Sequence, residues 1–197
     1  MKSSVKDILS NIVTYLSNEE VILFNKNRDG RINSIENESE VISILAKKFD
    51  IKVPESSRHW ADIFVDGEPV NIKITTTKTA DNASSKEGVF YALTGCIYTK
   101  PNDYETYLKT LKEHLSDTDK DYYFLIINKD NNKEVFFNSL KCLSKITPNG
   151  NNLPFQIKWI DNKQIIDRDF VGAKSLIMTN LGKSIKLRTD AYTSFQR

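Results

Sequence analysis

The chain of 197 residues is poor in the side chains that most often announce a chemistry. It has two cysteines and two histidines. Cys96, Cys142, His59 and His114 are scattered, and two lone pairs of this kind do not make a zinc site. With no secretion signal, the two cysteines are expected as buried free thiols in apolar surroundings, ahead of a disulfide. No apolar run approaches the roughly 20 residues needed to span a bilayer. The segment Met1–Asp7 lacks the apolar block of a signal peptide. A cytoplasmic protein with no membrane partner is the expectation. A Gly-rich phosphate loop and a dinucleotide fingerprint are both missing. So is a Gly-x-Ser-x-Gly elbow. Asp29–Gly30–Arg31 hints at a calcium loop, but the ligand spacing and the terminal glutamate are wrong.

Charge of one sign is also scarce. The 28 basic and 26 acidic residues leave a net +2, so bulk charge announces no nucleic-acid partner. Its distribution says more. Residues 171–197 hold Lys174, Lys183, Lys186, Arg188 and Arg197 against the single acid Asp190, a net +4 that leaves −2 for the first 170. A basic C-terminal quarter beside an acidic remainder fits an enzyme that holds cations in one place and phosphates in another. A solvated helix or loop face explains the tail equally well.

What is present is an ordinary globular composition, 39% hydrophobic and 27% charged, of a length that suits one domain over 1–197. Residues 4–17 carry Val5, Ile8, Leu9, Ile12, Val13 and Leu16 at helical spacing. A second helix is expected over 35–49, capped by Ser34, with Ile42, Leu45, Ala46 and Phe49 as its stripe. Its early acids Glu36, Glu38 and Glu40 suit a helix N-terminus. A β-hairpin follows: strand 61–65, the turn signal Asp66–Gly67, and strand 69–75. Residues 76–86 read as a polar loop. Helices are expected over 87–98, with Val89, Phe90, Leu93 and Ile97 inward, and from Pro101–Asn102 through Leu115. Residues 122–127 form a dense apolar strand of the buried kind. Further strands are expected at 134–137 and 155–160, and a loop at 149–152. Helices interleaved with strands predict an α/β fold with a central mixed β-sheet flanked by helices.

The informative stretch is Trp60-Ala-Asp-Ile-Phe-Val-Asp-Gly-Glu-Pro-Val-Asn-Ile-Lys-Ile-Thr. Asp62 falls on the first hairpin strand. Asn71 and Lys73 fall on the second, two residues apart and so on one face. A hairpin of this length can bring the three together. Phosphodiester hydrolysis needs a hard cation on oxygen ligands, which Asp62 and Asn71 can supply. A lysine beside the cation can orient the attacking water and stabilise charge on the phosphate. Burying Lys73 beside acids is costly without such a purpose.

These residues resemble the PD-(D/E)XK nuclease superfamily, and especially its type II restriction endonucleases. There an aspartate on one strand precedes an acidic-x-lysine on the next, with a glutamate-bearing helix before and another helix after. The same order occurs here over about 35–98, although the motif alone is short and degenerate. The resemblance implies a restriction-endonuclease-like fold with a catalytic core over about 35–130. It implies Mg²⁺ as cofactor, with Asp62, Asn71 and the Ile72 carbonyl as ligands and Lys73 assisting the water. It implies double-stranded DNA as substrate, cut at a specific sequence to leave a 5′-phosphate, and a homodimer cutting both strands. Asn71 stands where the family carries an acid. Three readings stay open: an upstream glutamate restores the charge, the asparagine replaces a native acid and blocks cleavage, or the protein binds DNA without cutting it. Glu38, four residues before Ile42 and seven before Leu45, is the acid that helical geometry selects. An ordinary preference of acids for a helix start is the competing explanation.

The loop after the catalytic strand offers DNA contacts: Thr75, Thr77, Ser84 and Ser85 through hydroxyls, Lys78 and Lys86 to phosphates, and Asn82 to an adenine edge. In the basic C-terminal region, about 171–197, Lys183, Lys186, Arg188 and Arg197 are candidate phosphate contacts. Arg58 and His59 are weaker candidates. Tyr104, Tyr107, Tyr122, Tyr123, Phe136 and Phe137 are expected in the core rather than as stacking platforms.

Overall fold

The computed structural model describes residues 1–18, 30–56, 59–100, 103–151 and 153–195, without the side chains of 30–36 and 191–195. Arg58 and Arg197 lie outside the described residues, as do Pro101 and Asn102. The fold is mixed α/β, with a five-stranded mixed sheet, a three-stranded sheet and helices.

Two helices come first, α1 (Ser3–Asn18) and α2 (Gly30–Lys48). Helix α1 buries Val5, Leu9, Ile12 and Leu16, the expected stripe. Helix α2 is helical already at Gly30, so Ser34 is not its cap and Glu38 lies more than two turns inside it. The N-terminal preference of acids therefore does not explain Glu38. The buried row is Asn37, Val41 and Leu45, while Ala46 is exposed. Glu38 and Ile42 sit one residue round, at the margin of that row.

The main sheet runs β1 (Ile51–Lys52), β2 (Ile63–Val65), β3 (Glu68–Thr75), β5 (Tyr123–Asn128) and β6 (Val135–Ser139). Only β3 and β5 are parallel; the other neighbours are antiparallel. The β2–β3 hairpin closes through Asp66 (φ 49°) and Gly67 (φ 77°), the left-handed pair that a two-residue turn requires. All six residues of β5 are buried, as a central strand covered on both faces must be.

Alternation along the strands splits the core in two. Val70, Ile72 and Ile74 of β3, with Tyr123, Leu125 and Ile127 of β5, pack under α1 and α2. Phe124 and Ile126 face the other way, toward α3 (Lys86–Thr94), α4 (Tyr104–His114) and α5 (Phe170–Phe195). Helix α3 is pressed so close that a Cβ on Gly88 would meet the Tyr122 ring at 2.9 Å.

The small sheet has the order β4 (Ala80–Ala83), β8 (Phe155–Lys158), β7 (Thr147–Pro148). Strand β4 corrects the polar loop expected over 76–86. Its inward residues are Ala83, which is buried, and Asp81, whose carboxylate accepts from Trp159 Nε1 at 3.2 Å. Helix α3 ends at Thr94 because Gly95 turns left-handed (φ 72°), its N–H bonding the Tyr91 carbonyl. Ile97 is consequently 62% exposed, against expectation. Strand β8 stops at Lys158, leaving Ile160 exposed. Cys142 is buried and free as expected; Cys96 is also free but exposed. Tyr107, Tyr122, Tyr123 and Phe137 are buried, with Tyr104 and Phe136 packed against the core. Among the described residues no helix is long and apolar enough to cross a membrane.

Candidate active site

Strand β2 is shorter than its partner β3, and the candidate site lies where it ends. Ile63 pairs with Val70, and the Asp62 N–H donates to the Val70 carbonyl at 3.1 Å. The ladder stops there: Asp62 lies in a bend just before β2, not on the strand expected over 61–65, and its N–H shares the Val70 rung with Ile63. Beyond that point β3 has lost its neighbour. The Asp62 carboxylate takes over the vacated backbone position: its Oδ2 accepts from the Ile72 N–H at 2.6 Å. A residue's N–H and C=O point to the same side of a strand. The Ile72 carbonyl therefore also faces the side on which β2 has ended.

Asn71 and Lys73 alternate away from the buried Val70, Ile72 and Ile74. They share a face with Phe124 and Ile126, their partners across β5. Asn71 Oδ1 is buried and has no hydrogen-bond partner among the described residues. Such an orphaned oxygen costs about 1–3 kcal/mol. Lys73 is partly exposed and forms no ion pair with a described carboxylate.

Burial pushes the Asp62 carboxyl above its ordinary range, and this outweighs the opposing Ile72 N–H and the charges of Lys73 and His59. Lys73 is thus close enough to be felt by Asp62. His59 serves the backbone: its Nδ1 contacts the N–H and carbonyl of Ala61 at 3.1 and 3.2 Å, and its ring stacks on Trp60. This is a structural role.

Glu38 reaches the site from the other face of the sheet. It lines a cleft of about 480 Å³ together with Asp62, Ala61, Ile42 and Glu55. Asp62 thus lies just before β2, within reach of Ile72 on β3 and of the charge of Lys73, and shares a cleft with Glu38; Asn71 and Lys73 do not line that cleft. Glu55, in the segment after β1, is an acid in this cleft that the sequence did not single out. No group of three His, Cys, Asp or Glu side chains among the described residues stands close enough to hold a metal. A cation here would therefore be held by one carboxylate with neutral oxygens. Asp62, the orphaned Asn71 amide and the Ile72 carbonyl fit a hard cation that retains much of its water, such as Mg²⁺.

The candidate DNA contacts divide. Thr75 ends β3 and is half-buried; Lys78 and Asn82 are exposed. Thr77 and Ser84 are corrections, since both side chains are buried and present no hydroxyl at the surface. Ser85 caps α3, its Oγ accepting from the Gly88 N–H. Lys86 is buried too, only 8% exposed, and it converges with Arg188, although 102 positions separate them in the chain: both cations stand over the Tyr104 ring, at 4.4 and 5.2 Å, and both line a cleft of about 410 Å³. Glu87 and Asp103 share that cleft. Lys183 and Lys186 are exposed on α5. No protein-family model and no curated protein matches the chain.

Proposed function

We propose that this protein is a Mg²⁺-dependent endonuclease that hydrolyses phosphodiesters of double-stranded DNA at a specific sequence, in the manner of type II restriction enzymes. The observation that carries the reading is the Asn71 Oδ1, buried and unsatisfied among the described residues, with the Asp62 carboxylate bonded to the next N–H of the strand, Ile72, and Lys73 following it. A buried carboxylate with a raised pKa and an orphaned amide oxygen both destabilise the fold. Such costs concentrate where chemistry is done. The mixed sheet, with helices on both faces and a hairpin carrying Asp62 and Lys73, supports a restriction-endonuclease-like fold.

In this reading Asp62, Asn71 and the Ile72 carbonyl hold Mg²⁺, and Glu38 adds negative charge from α2. When bound, the ion polarises a phosphoryl oxygen and lowers the pKa of its water. The Ile72 N–H fixes the orientation of the Asp62 carboxylate. The Lys73 ammonium, in no ion pair with a described carboxylate, positions the attacking water and stabilises the negative charge that grows on the phosphate. The product carries a 5′-phosphate, and two copies of the chain cut the two strands.

A second reading has a specific observation in its favour. The amide at Asn71 and the lack of a three-carboxylate group fit a DNA-binding protein that does not cut. A repair or junction nuclease built on the same residues is a third. Incubation with supercoiled plasmid and Mg²⁺ separates them. Discrete bands that vanish with EDTA are expected; nicking or smearing indicates a general nuclease, and binding without scission indicates the non-cutting protein.

A further inference from the structure

The outer face of the small sheet carries an amide array whose orientation is fixed by its chemistry. Asn149 Nδ2 donates to the Leu153 carbonyl at 3.0 Å, and its Oδ1 accepts from the Asn151 N–H at 3.4 Å. A carbonyl can only accept and an N–H can only donate, so the Asn149 amide has one possible orientation. The same Nδ2 also donates to Asn82 Oδ1 at 3.1 Å, and Gln156 Nε2 donates to that oxygen at 3.2 Å. Asn82 Oδ1 thus has both lone pairs engaged. What remains for an outside partner is a donor, Asn82 Nδ2, beside an acceptor, Gln156 Oε1. Asn82 and Gln156 are directly paired across β4 and β8, so the two groups stand side by side on one rung of one face.

This geometry corrects the earlier expectation for Asn82. An adenine edge needs a donor and an acceptor from one amide, and the acceptor of Asn82 is already taken. The surroundings indicate what the pair faces. Lys158 lies on the same face, opposite Ala80, and is exposed. Lys86 and Arg188 converge beyond the other end of β4, in a cleft that Leu153 also lines. Asp81, the one acid on β4, is turned inward to Trp159. Neutral amides between cations match base edges between phosphates. Only residues 76–79 separate β4 from β3, the strand that carries Lys73.

We propose that Asn82 and Gln156 are specificity-determining residues that read one base pair in the DNA groove. Asn82 Nδ2 donates to a base acceptor and Gln156 Oε1 accepts from a base amino group. An adenine (N7 and N6) or a G·C pair (O6 and N4) presents that combination. This inference rests on the nuclease reading given above.

The test uses the full-length chain and a randomised duplex library with Mg²⁺, with the cut ends sequenced. The wild type defines a preferred site. Asn82→Ala and Gln156→Ala, checked for an unchanged melting profile, are each expected to relax preference at one and the same base pair by roughly tenfold or more relative to the other positions. Lys86→Ala and Arg188→Ala are expected instead to weaken cutting of all sequences alike and to lessen its dependence on salt. A preference unaltered in both amide variants overturns the inference and leaves the nuclease reading standing. A loss spread equally over all sequences in those variants does the same. A wild type that neither binds nor cuts DNA overturns both.

Discussion

Two carboxylates on the β2–β3 hairpin and its flanks, Asp62 and Glu68, each lie near a lysine, and they could hardly be treated more differently. Glu68 is fully buried, and every requirement is met. It accepts from Lys120 Nζ at 2.7 Å, Tyr91 Oη at 3.3 Å and the Asp121 N–H at 3.4 Å. Asp62 is half-buried and accepts one backbone N–H. Among the described residues its lysine forms no ion pair, and the amide oxygen of Asn71 has no hydrogen-bond partner. A charge kept for stability is saturated with partners. A charge kept for a ligand is left short of them, and the fold bears the cost.

The comparison can be broken at either end. The largest expected effect is on cleavage: Asp62→Asn should abolish it, about 10³-fold or more, through loss of the charged ligand. The same variant should melt higher near neutral pH. The sign follows from the raised carboxyl pKa. The native state holds its proton to higher pH than the unfolded chain, so the penalty for ionised Asp62 is absent below the unfolded pKa of about 3.8. It develops as pH rises from there through the native value. A thermal melt at pH 7 that fell for Asp62→Asn would count against this.

Glu68→Ala should show the opposite pattern, costing about 3 kcal/mol in denaturant unfolding, because Tyr91 and the Asp121 amide lose their acceptor in the interior. Equal stability of wild type and variant would show that Glu68 is not the saturated charge described. Gly88→Ala should cost about 1–3 kcal/mol by forcing α3 off the Tyr122 ring, read in the same titration. The smallest effect belongs to the surface: Lys163→Ala, which frees Glu134 from an exposed ion pair, should change stability by no more than about 0.5 kcal/mol. A larger loss would show that exposed pairs matter more here than the buried contrast allows.

The sequence made the local features readable and hid the distant ones. The stripe of α1, the Asp66–Gly67 turn and the apolar run of β5 are written in consecutive residues. So is the spacing of Asp62, Asn71 and Lys73. Helix α5 was not visible because its buried face, Ala173, Ile177, Asn180, Leu181 and Ser184, mixes small and polar residues with apolar ones. Strand β4 reads Ala-Asp-Asn-Ala, with no β-former. It exists because β8 pairs with it and Trp159 holds Asp81. The margin position of Glu38 depended on where α2 begins, which Ser34 signalled wrongly. The meetings of Lys86 with Arg188 and of Asn82 with Gln156 join residues 102 and 74 positions apart, and no local pattern records them.

The central claim is that the unpaired lysine beside the under-satisfied carboxylate and amide exists for phosphodiester hydrolysis. Plasmid linearisation by Lys73→Ala with Mg²⁺, alongside wild type of equal melting temperature, tests it most directly. The account predicts a fall in rate of about 10²–10³-fold with stability within about 0.5 kcal/mol of wild type. Wild-type cleavage that survives intact in Lys73→Ala would contradict it.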